Sequence, residues 1–448
     1  MTPPGPDRPD GRTSSPSPAT WRRALLLVAC VHLLTTAGTW SLTDHVEYAF
    51  VARRLLDHGG FALAEPGVRS IAALPWLVPG NGEVLRTRLQ PVTALTLVPL
   101  LALDRALGLE DAARYGRILH LQGHLFVIAG LALLAGAVRA GGASQAATAA
   151  AVALTGLSWP VWSIARRIGP EPILLALVCL FIAAAGFSAR RRSAVRFAVC
   201  ALLPWTSPMG STVGLALAAA ILLDAWLDLP RPERTLARLP WAAAGGVLLG
   251  VASVALVWNR LYHGDWLLGG YAPYAARPFF GVVAPTTGLL LHLRALAVEG
   301  PILLALSALG LRAAGSPRQH GLTLAVVLTG ALLLLFASFY QPEPSRRFAV
   351  VWPAFGAIVG RTWDRLRLPL PAPQALVALG AVTGFYWLIF NEGRRYPGPG
   401  GLFYPNVLWV ERYLSGAPAW QLLPAAGLLL LGVAAGIGTW RLLGTRPA

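Results

Sequence analysis

Acidic, aromatic and guanidinium side chains gather at three places in a chain that is otherwise mostly apolar. The first is Asp44-His45-Val46-Glu47-Tyr48, directly after the first long apolar run. The second is Arg166-Arg167-Ile168-Gly169-Pro170-Glu171-Pro172. The third is Tyr340-Gln341-Pro342-Glu343-Pro344-Ser345-Arg346-Arg347-Phe348. Ionisable groups near membrane depth are expensive to place there and are functional candidates for that reason. A carboxylate such as Asp44, held at a bilayer surface, can take the proton of a hydroxyl as that hydroxyl attacks. Guanidinium groups match phosphate oxygens in a two-pronged fork, which makes Arg166, Arg167, Arg346 and Arg347 candidate phosphate ligands.

Each group also has a plainer reading. Residues 45–57 can form a helix that stops at Gly59-Gly60, with Asp44, Glu47 and Tyr48 on one side by i, i+3, i+4 spacing. Asp44 then serves equally well as the cap of that helix. Arg166 and Arg167 can pair with Glu171 inside their own turn. Arg346 and Arg347 can reach to lipid headgroups without specificity. The aromatic segment 262–280, which includes Tyr271, can stack on a sugar or anchor the chain at an interface. His120 and His124 have helical i, i+4 spacing with no acid nearby in sequence, which fits helix packing better than a metal site. Cys30, Cys179 and Cys200 lie in or beside apolar runs as small hydrophobes.

The elements that position these groups are membrane helices. The chain has 448 residues, 55% hydrophobic and only 13% charged, against roughly 25% charged in soluble domains. Its net charge of +17 is carried by arginine alone, with no lysine. The arginines stand in short blocks between apolar runs, the pattern of topology signals and not of nucleic-acid binding. Residues 1–20, rich in Pro, Ser and Gly, are expected to be a disordered cytoplasmic segment. Arg22-Arg23 then precede the first apolar run, which has no small-x-small cleavage site and is expected to stay as an anchor with its N-terminus inside.

A spanning helix needs roughly 20 apolar residues. Candidate runs are 24–40, 89–107, 117–138, 145–164, 172–188, 195–227, 240–261, 296–312, 319–340, 347–360, 374–390 and 420–440, and Pro204 and Pro208 split 195–227 in two. If every run crossed, Arg190-Arg191-Arg192 and the blocks around Arg234 and Arg365 would fall outside. If 89–107, which carries Gln90, Pro91, Pro99 and Asp104, lies along or dips into the outer face, all three blocks move inside. The expectation is an all-α polytopic protein of about twelve crossings, plus interfacial or re-entrant helices in the first outer loop, with both termini cytoplasmic. Residues 21–448 then form one transmembrane domain with outer loops 41–115, 165–171, 262–295, 341–346 and 391–419. No interrupted helices recur in two halves, which disfavours a transporter.

In this order the three segments resemble the GT-C superfamily of polyprenyl-phosphate-dependent glycosyltransferases, in the bacterial branch related to protein mannosyltransferases and aminoarabinose transferases. Asp44-His45-Val46-Glu47-Tyr48 resembles that family's acidic motif after its first helix. Ala52 to Leu55 and Gly59-Gly60 resemble the helix and break that follow it. Gln90-Pro91 resembles the start of a non-crossing helix in the first loop, and Arg167 with Glu171-Pro172 the second outer loop. Arg347-Phe348 and Pro353 resemble a late loop, and Tyr262-His263-Gly264-Asp265 through Tyr271 a middle one. His45 stands where the family usually has a second acid, and Phe348 where it usually has tyrosine.

The resemblance implies an enzyme of the inner (cytoplasmic) membrane with its site on the outer face. It would move a sugar from a polyprenyl-phosphate-linked donor to the hydroxyl of a lipid, glycan or protein acceptor, with inversion. Asp44 would be the general base, and Glu171 would position the acceptor or an arginine. Glu47, Tyr48, Arg166, Arg167, Arg346, Arg347 and Tyr271 would bind substrate. No cofactor is called for, and a divalent cation stays open. The other function classes are a lipid or sugar flippase and a non-catalytic scaffold of envelope assembly.

Overall fold

The computed structural model describes residues 20–34, 43–61, 77–79, 85–87, 89–109, 118–230, 235–236, 239–266, 285–314, 320–337, 344–366, 430, 433–438 and 441. These residues form helices α1 (Thr20–Leu34), α2 (Thr43–His58), α3 (Pro91–Ala106), α4 (Leu121–Ala140), α5 (Gln145–Gly156), α6 (Trp159–Ala165), α7 (Pro170–Ala183), α8 (Ala189–Thr206), α9 (Pro208–Asp228) and α10 (Ala242–Ser253). They continue with α11 (Pro285–Glu299), α12 (Pro301–Ala314), α13 (His320–Phe336), α14 (Pro344–Phe348) and α15 (Trp352–Thr362). A π-helix over Val254–His263 extends α10. Proline opens α3, α7, α9, α11, α12 and α14, a position where its missing N–H would have no intrahelical partner anyway.

The helical expectation holds with one addition. In the first loop β1 (Leu77–Pro79) pairs antiparallel with β2 (Leu85–Thr87), Val78 opposite Arg86. The run 195–227 divides at Ser207, whose hydroxyl accepts from the Gly210 amide at 3.2 Å and caps α9. The run 145–164 is not one straight span: α5 and α6 meet at a 66° bend. Residues 262–295 are not all loop, because α11 begins at Pro285. The turn of the second loop is likewise shorter than 165–171, since Glu171 already lies in the first turn of α7. The run 374–390, most of 420–440, the segment 1–19 and the loop 391–419 lie outside the described residues.

Among the described residues α4, α9 and α10 with its π extension are long and apolar enough to cross a membrane, as is the bent α5–α6 pair if counted together. Helices α7, α12 and α13 are apolar but shorter. Leu215, Leu248, Leu261 and Leu334 are exposed on them, and Leu26 and Leu34 on α1, a distribution that suits hydrocarbon and not water.

Helix α4 packs along α7, α1 along α5, α8 along α10, α9 along α13, and α15 against both α5 and α12. One apolar core runs through them, with Val28, Leu131, Leu134, Trp162, Leu174, Phe181 and Trp352 at its centre. A second, smaller core joins α2 to α3.

Close helix approach depends on small residues. A Cβ on Gly356 of α15 would collide with Thr155 Oγ1 and sit 3.2 Å from Leu134 Cδ2, whereas one on Gly136 of α4 would meet nothing within 4 Å. Gly356→Leu is therefore expected to destabilise the fold by about 1–3 kcal/mol or more. Thermal unfolding in detergent should show a lowered midpoint for Gly356→Leu and little change for Gly136→Leu.

Candidate functional site

The first loop builds a small platform. Helix α2 ends at Gly59, where φ is +66°, a left-handed stop that glycine adopts without strain. Its buried side carries Tyr48, Ala49, Val51 and Ala52, which pack with Leu97 and Leu101 of α3. Glu47 is 1% exposed, and its Oε1 accepts from the Thr87 hydroxyl at 2.6 Å. Thr87 Oγ1 in turn accepts from the Leu89 amide at 3.1 Å. One carboxylate thus ties α2 to the hairpin and to the entry of α3. At the far end of α2, Arg105 donates to Asp57 at 2.8 Å. That hydrogen bond, opposed by partial desolvation, holds the Asp57 carboxyl below its ordinary value. A depressed carboxyl contributes stability above its unfolded-state value and loses it as pH falls through the folded one. Because the Asp57 side chain is 29% exposed and Arg105 41%, the contribution is small.

The second and third polar segments meet. Glu171 is 2% exposed and lies in the first turn of α7. Its Oε1 accepts from Arg346 Nε at 2.7 Å and lies 3.6 Å from Arg347 Nη1. The arginines that engage it come from α14, and Arg346 is 175 residues away in sequence. Gly169 makes room for the pair, because a Cβ there would stand 2.7 Å from Glu171 Oε2 and 3.9 Å from Arg346 Nη2. The Arg346 side chain is 8% exposed and that of Arg347 23%. Arg347 lies over the Phe336 ring at 5.9 Å. Phe348 is buried between His292 and Phe336, with ring centroids 5.7 and 6.3 Å away. Arg346 is thus held inside while Arg347 keeps an accessible face.

Two further residues connect this pair to the platform. Ile168, in the turn between α6 and α7, is buried in the same apolar cluster as Tyr48 and Leu97. Gln122, at the start of α4, accepts from the Gly169 amide at 3.2 Å and donates to Thr96 Oγ1 at 2.6 Å. It also donates to the Thr93 carbonyl at 3.3 Å. The turn 166–169 is therefore pinned to α3 by side-chain hydrogen bonds and to α2 by apolar packing. Gly123 lets α4 approach that turn, since a Cβ there would collide with the Arg167 and Ala165 carbonyls.

The bend before this turn has a definite cause. Pro160 has no N–H to give to the Gly156 carbonyl one turn back. His32 Nε2 donates to that carbonyl instead, at 2.7 Å. The His32 ring stacks on Trp162 at 6.2 Å and lies 6.3 Å from His124, so both histidines act in packing among α1, α4 and α6.

Of the residues expected from sequence, Glu47, Tyr48, Arg166, Arg167, Glu171, Arg346 and Arg347 fall on this connected assembly. Tyr48 is 3% exposed and packs in the core of the platform. Arg166 and Arg167 are half-buried in the turn. Asp44 is placed by backbone in the first turn of α2, where a carboxylate is favoured by the helix dipole. Tyr271 lies outside the described residues. Among them, no three His, Cys, Asp or Glu side chains gather as metal donors. Gln122 and Thr87 carry no mark in the sequence because each acts through a partner far along the chain.

The fold matches the crystal structure of ArnT from Cupriavidus metallidurans bound to undecaprenyl phosphate, with a TM-score of 0.56 and 16% identity, over 96% of this chain and 78% of that one. The apo state of ArnT from the same organism matches with a TM-score of 0.53 and 17% identity, over 95% and 77% of the two chains. No protein-family model and no curated protein matches the sequence. The chain shares the fold of these ArnT structures.

Removing one partner of a buried ion pair typically costs about 3–5 kcal/mol, because the other charge stays buried. Glu171→Ala and Arg346→Ala are each expected to destabilise by that order. The double variant should lose clearly less than the sum, and a double-mutant cycle on thermal or denaturant unfolding checks it.

Proposed function

We propose that the chain is a multi-spanning membrane glycosyltransferase. It moves a sugar from a polyprenyl-phosphate-linked donor to an acceptor hydroxyl on the outer face of the cytoplasmic membrane. The observation that carries the reading is the arginine pair on Glu171. It is a cationic site at a helix end, in a fold that matches a structure holding undecaprenyl phosphate.

The chemistry follows from the groups present. The acceptor oxygen attacks the anomeric carbon while the Asp44 carboxylate removes its proton. The new oxygen–carbon bond forms as the bond from that carbon to the phosphate oxygen breaks. The electron pair leaves with the lipid phosphate, and attack opposite the leaving group inverts the configuration. Arg347 keeps an accessible face, so it is the group that meets the growing charge on the phosphate. Arg346 is turned inward and acts through Glu171 to fix the segment that carries Arg347. Charge stabilisation by pre-placed donors is usually the largest catalytic term. Glu171 is then a positioning residue. Arg166 and Arg167 lie in the turn that Gln122 holds and extend the positive surface. Tyr271 and the aromatic segment around it belong to the sugar side.

Loss of a general base typically lowers rate about 10²–10⁴-fold. Asp44→Asn is expected to do so with an unchanged unfolding midpoint. Arg347→Ala is expected to lower both transfer and carrier binding. Transfer from a polyprenyl-phosphate-linked sugar by the purified protein, followed by chromatography of the product, is the assay. Wild-type turnover by Asp44→Asn would remove the base from the mechanism.

A further inference from the structure

A narrow cleft, open at its mouth, lies at the other end of the helices that carry the Glu171 site. Phe181 and Ile182 line it from the end of α7, Arg196 from α8, Ile221 and Asp224 from α9, Leu324 from α13 and Arg361 from α15. Glu171 and Phe181 stand ten residues apart on α7, about 15 Å by the rise of an α-helix. Arg347 and Arg361 likewise flank the two ends of α15. The cleft is therefore separate from the proposed transfer site.

Its composition is mixed in a specific way. The wall made by Phe181, Ile221 and Leu324 is apolar. Arg196 lies over the Phe181 ring at 5.1 Å. The Nε atoms of Arg196 and Arg361 are shielded from solvent and have no hydrogen-bond partner among the described residues. A guanidinium N–H so placed is costly unless an acceptor meets it. The carboxylate in the cleft, Asp224, accepts from Thr323 Oγ1 at 3.0 Å. Two guanidinium groups against one carboxylate leave one positive charge, which matches a phosphodiester monoanion. Arg190-Arg191-Arg192 and Arg365 stand at the same end of the molecule, the end that the positive-inside bias assigns to the cytoplasm. Anionic phospholipids are concentrated in that leaflet, and basic pockets between membrane helices there take their headgroups.

We propose that this cleft binds the phosphate of an anionic phospholipid between Arg196 and Arg361, with an acyl chain along Phe181, Ile221 and Leu324. The shared chemistry is phosphate on guanidinium, and the apolar wall selects a lipid over free phosphate. The bound lipid would tie α7, α8, α9, α13 and α15 together and stabilise the folded chain.

The test is thermal unfolding of the purified full chain in neutral detergent, with phosphatidylglycerol, phosphatidylcholine or inorganic phosphate added. Phosphatidylglycerol alone is expected to raise the midpoint by a few degrees, as any ligand of the folded state does. Arg196→Gln/Arg361→Gln should lose that shift, and Arg190→Gln/Arg191→Gln on the neighbouring surface should keep it. Ile221→Trp, which fills the apolar side and leaves both arginines in place, should also lose it. That variant keeps the test decisive if the arginine variant fails to fold. Equal protection by inorganic phosphate would overturn the assignment to a lipid. A shift retained by Ile221→Trp and the arginine variant, or lost equally in Arg190→Gln/Arg191→Gln, would overturn the site.

Discussion

The arrangement depends on the ion pair between Glu171 and Arg346. Both side chains are almost fully removed from solvent, so their desolvation must be offset by close geometry and by further partners. The protein supplies these with a second guanidinium from Arg347, with Gly169, which leaves room beside the carboxylate, and with a turn held from behind by Gln122. The pair joins the start of α7 to α14 and so fixes α14 at the entry of α15. Buried ion pairs are poor sources of net stability, but breaking one is costly because the remaining charge stays buried, and that penalty holds α14 in its place. The partly exposed Arg347 inherits that fixed position.

The platform of the first loop solves a different problem. A short amphipathic helix has few contacts of its own. Here α2 is held at three points: the buried Glu47–Thr87 hydrogen bond, the apolar seam with α3, and the exposed Asp57–Arg105 pair. Ile168 enters the same seam from the turn before Glu171. The acidic motif after α1 and the arginine site are thereby parts of one packed unit, although more than a hundred residues separate them in sequence.

Local signals are legible in the sequence where one residue acts on its own backbone. Gly59 stops α2, and Pro208 behind Ser207 starts α9. Two further local signals are masked by the apolar runs and loops around them. Pro160 lies inside the run 145–164, and its absent N–H announces the bend that His32 then caps. Asn81-Gly82 between Leu77–Pro79 and Leu85–Thr87 is a strong hairpin turn signal. What the sequence could not reveal is partnership over distance. Glu171 looked as apt to pair with Arg167 four residues back as with any other cation, and only the folded chain brings Arg346 to it. Gln122 gave no sign beyond being a polar residue at the head of an apolar run. The polar segments, in their order, nevertheless resemble those of GT-C glycosyltransferases, and the fold they mark matches that of ArnT.

The central claim is that the acidic motif of α2 and the arginine segment of α14 serve one site on one membrane face. The most direct measurement is cross-linking between cysteines placed at His45 and Ser345, with Cys30, Cys179 and Cys200 replaced, using short bifunctional thiol reagents in native membranes. The account predicts an intramolecular cross-link, with both cysteines labelled from the outer side by an impermeant reagent. Labelling of the two positions from opposite sides of the membrane, with no cross-link, would contradict it.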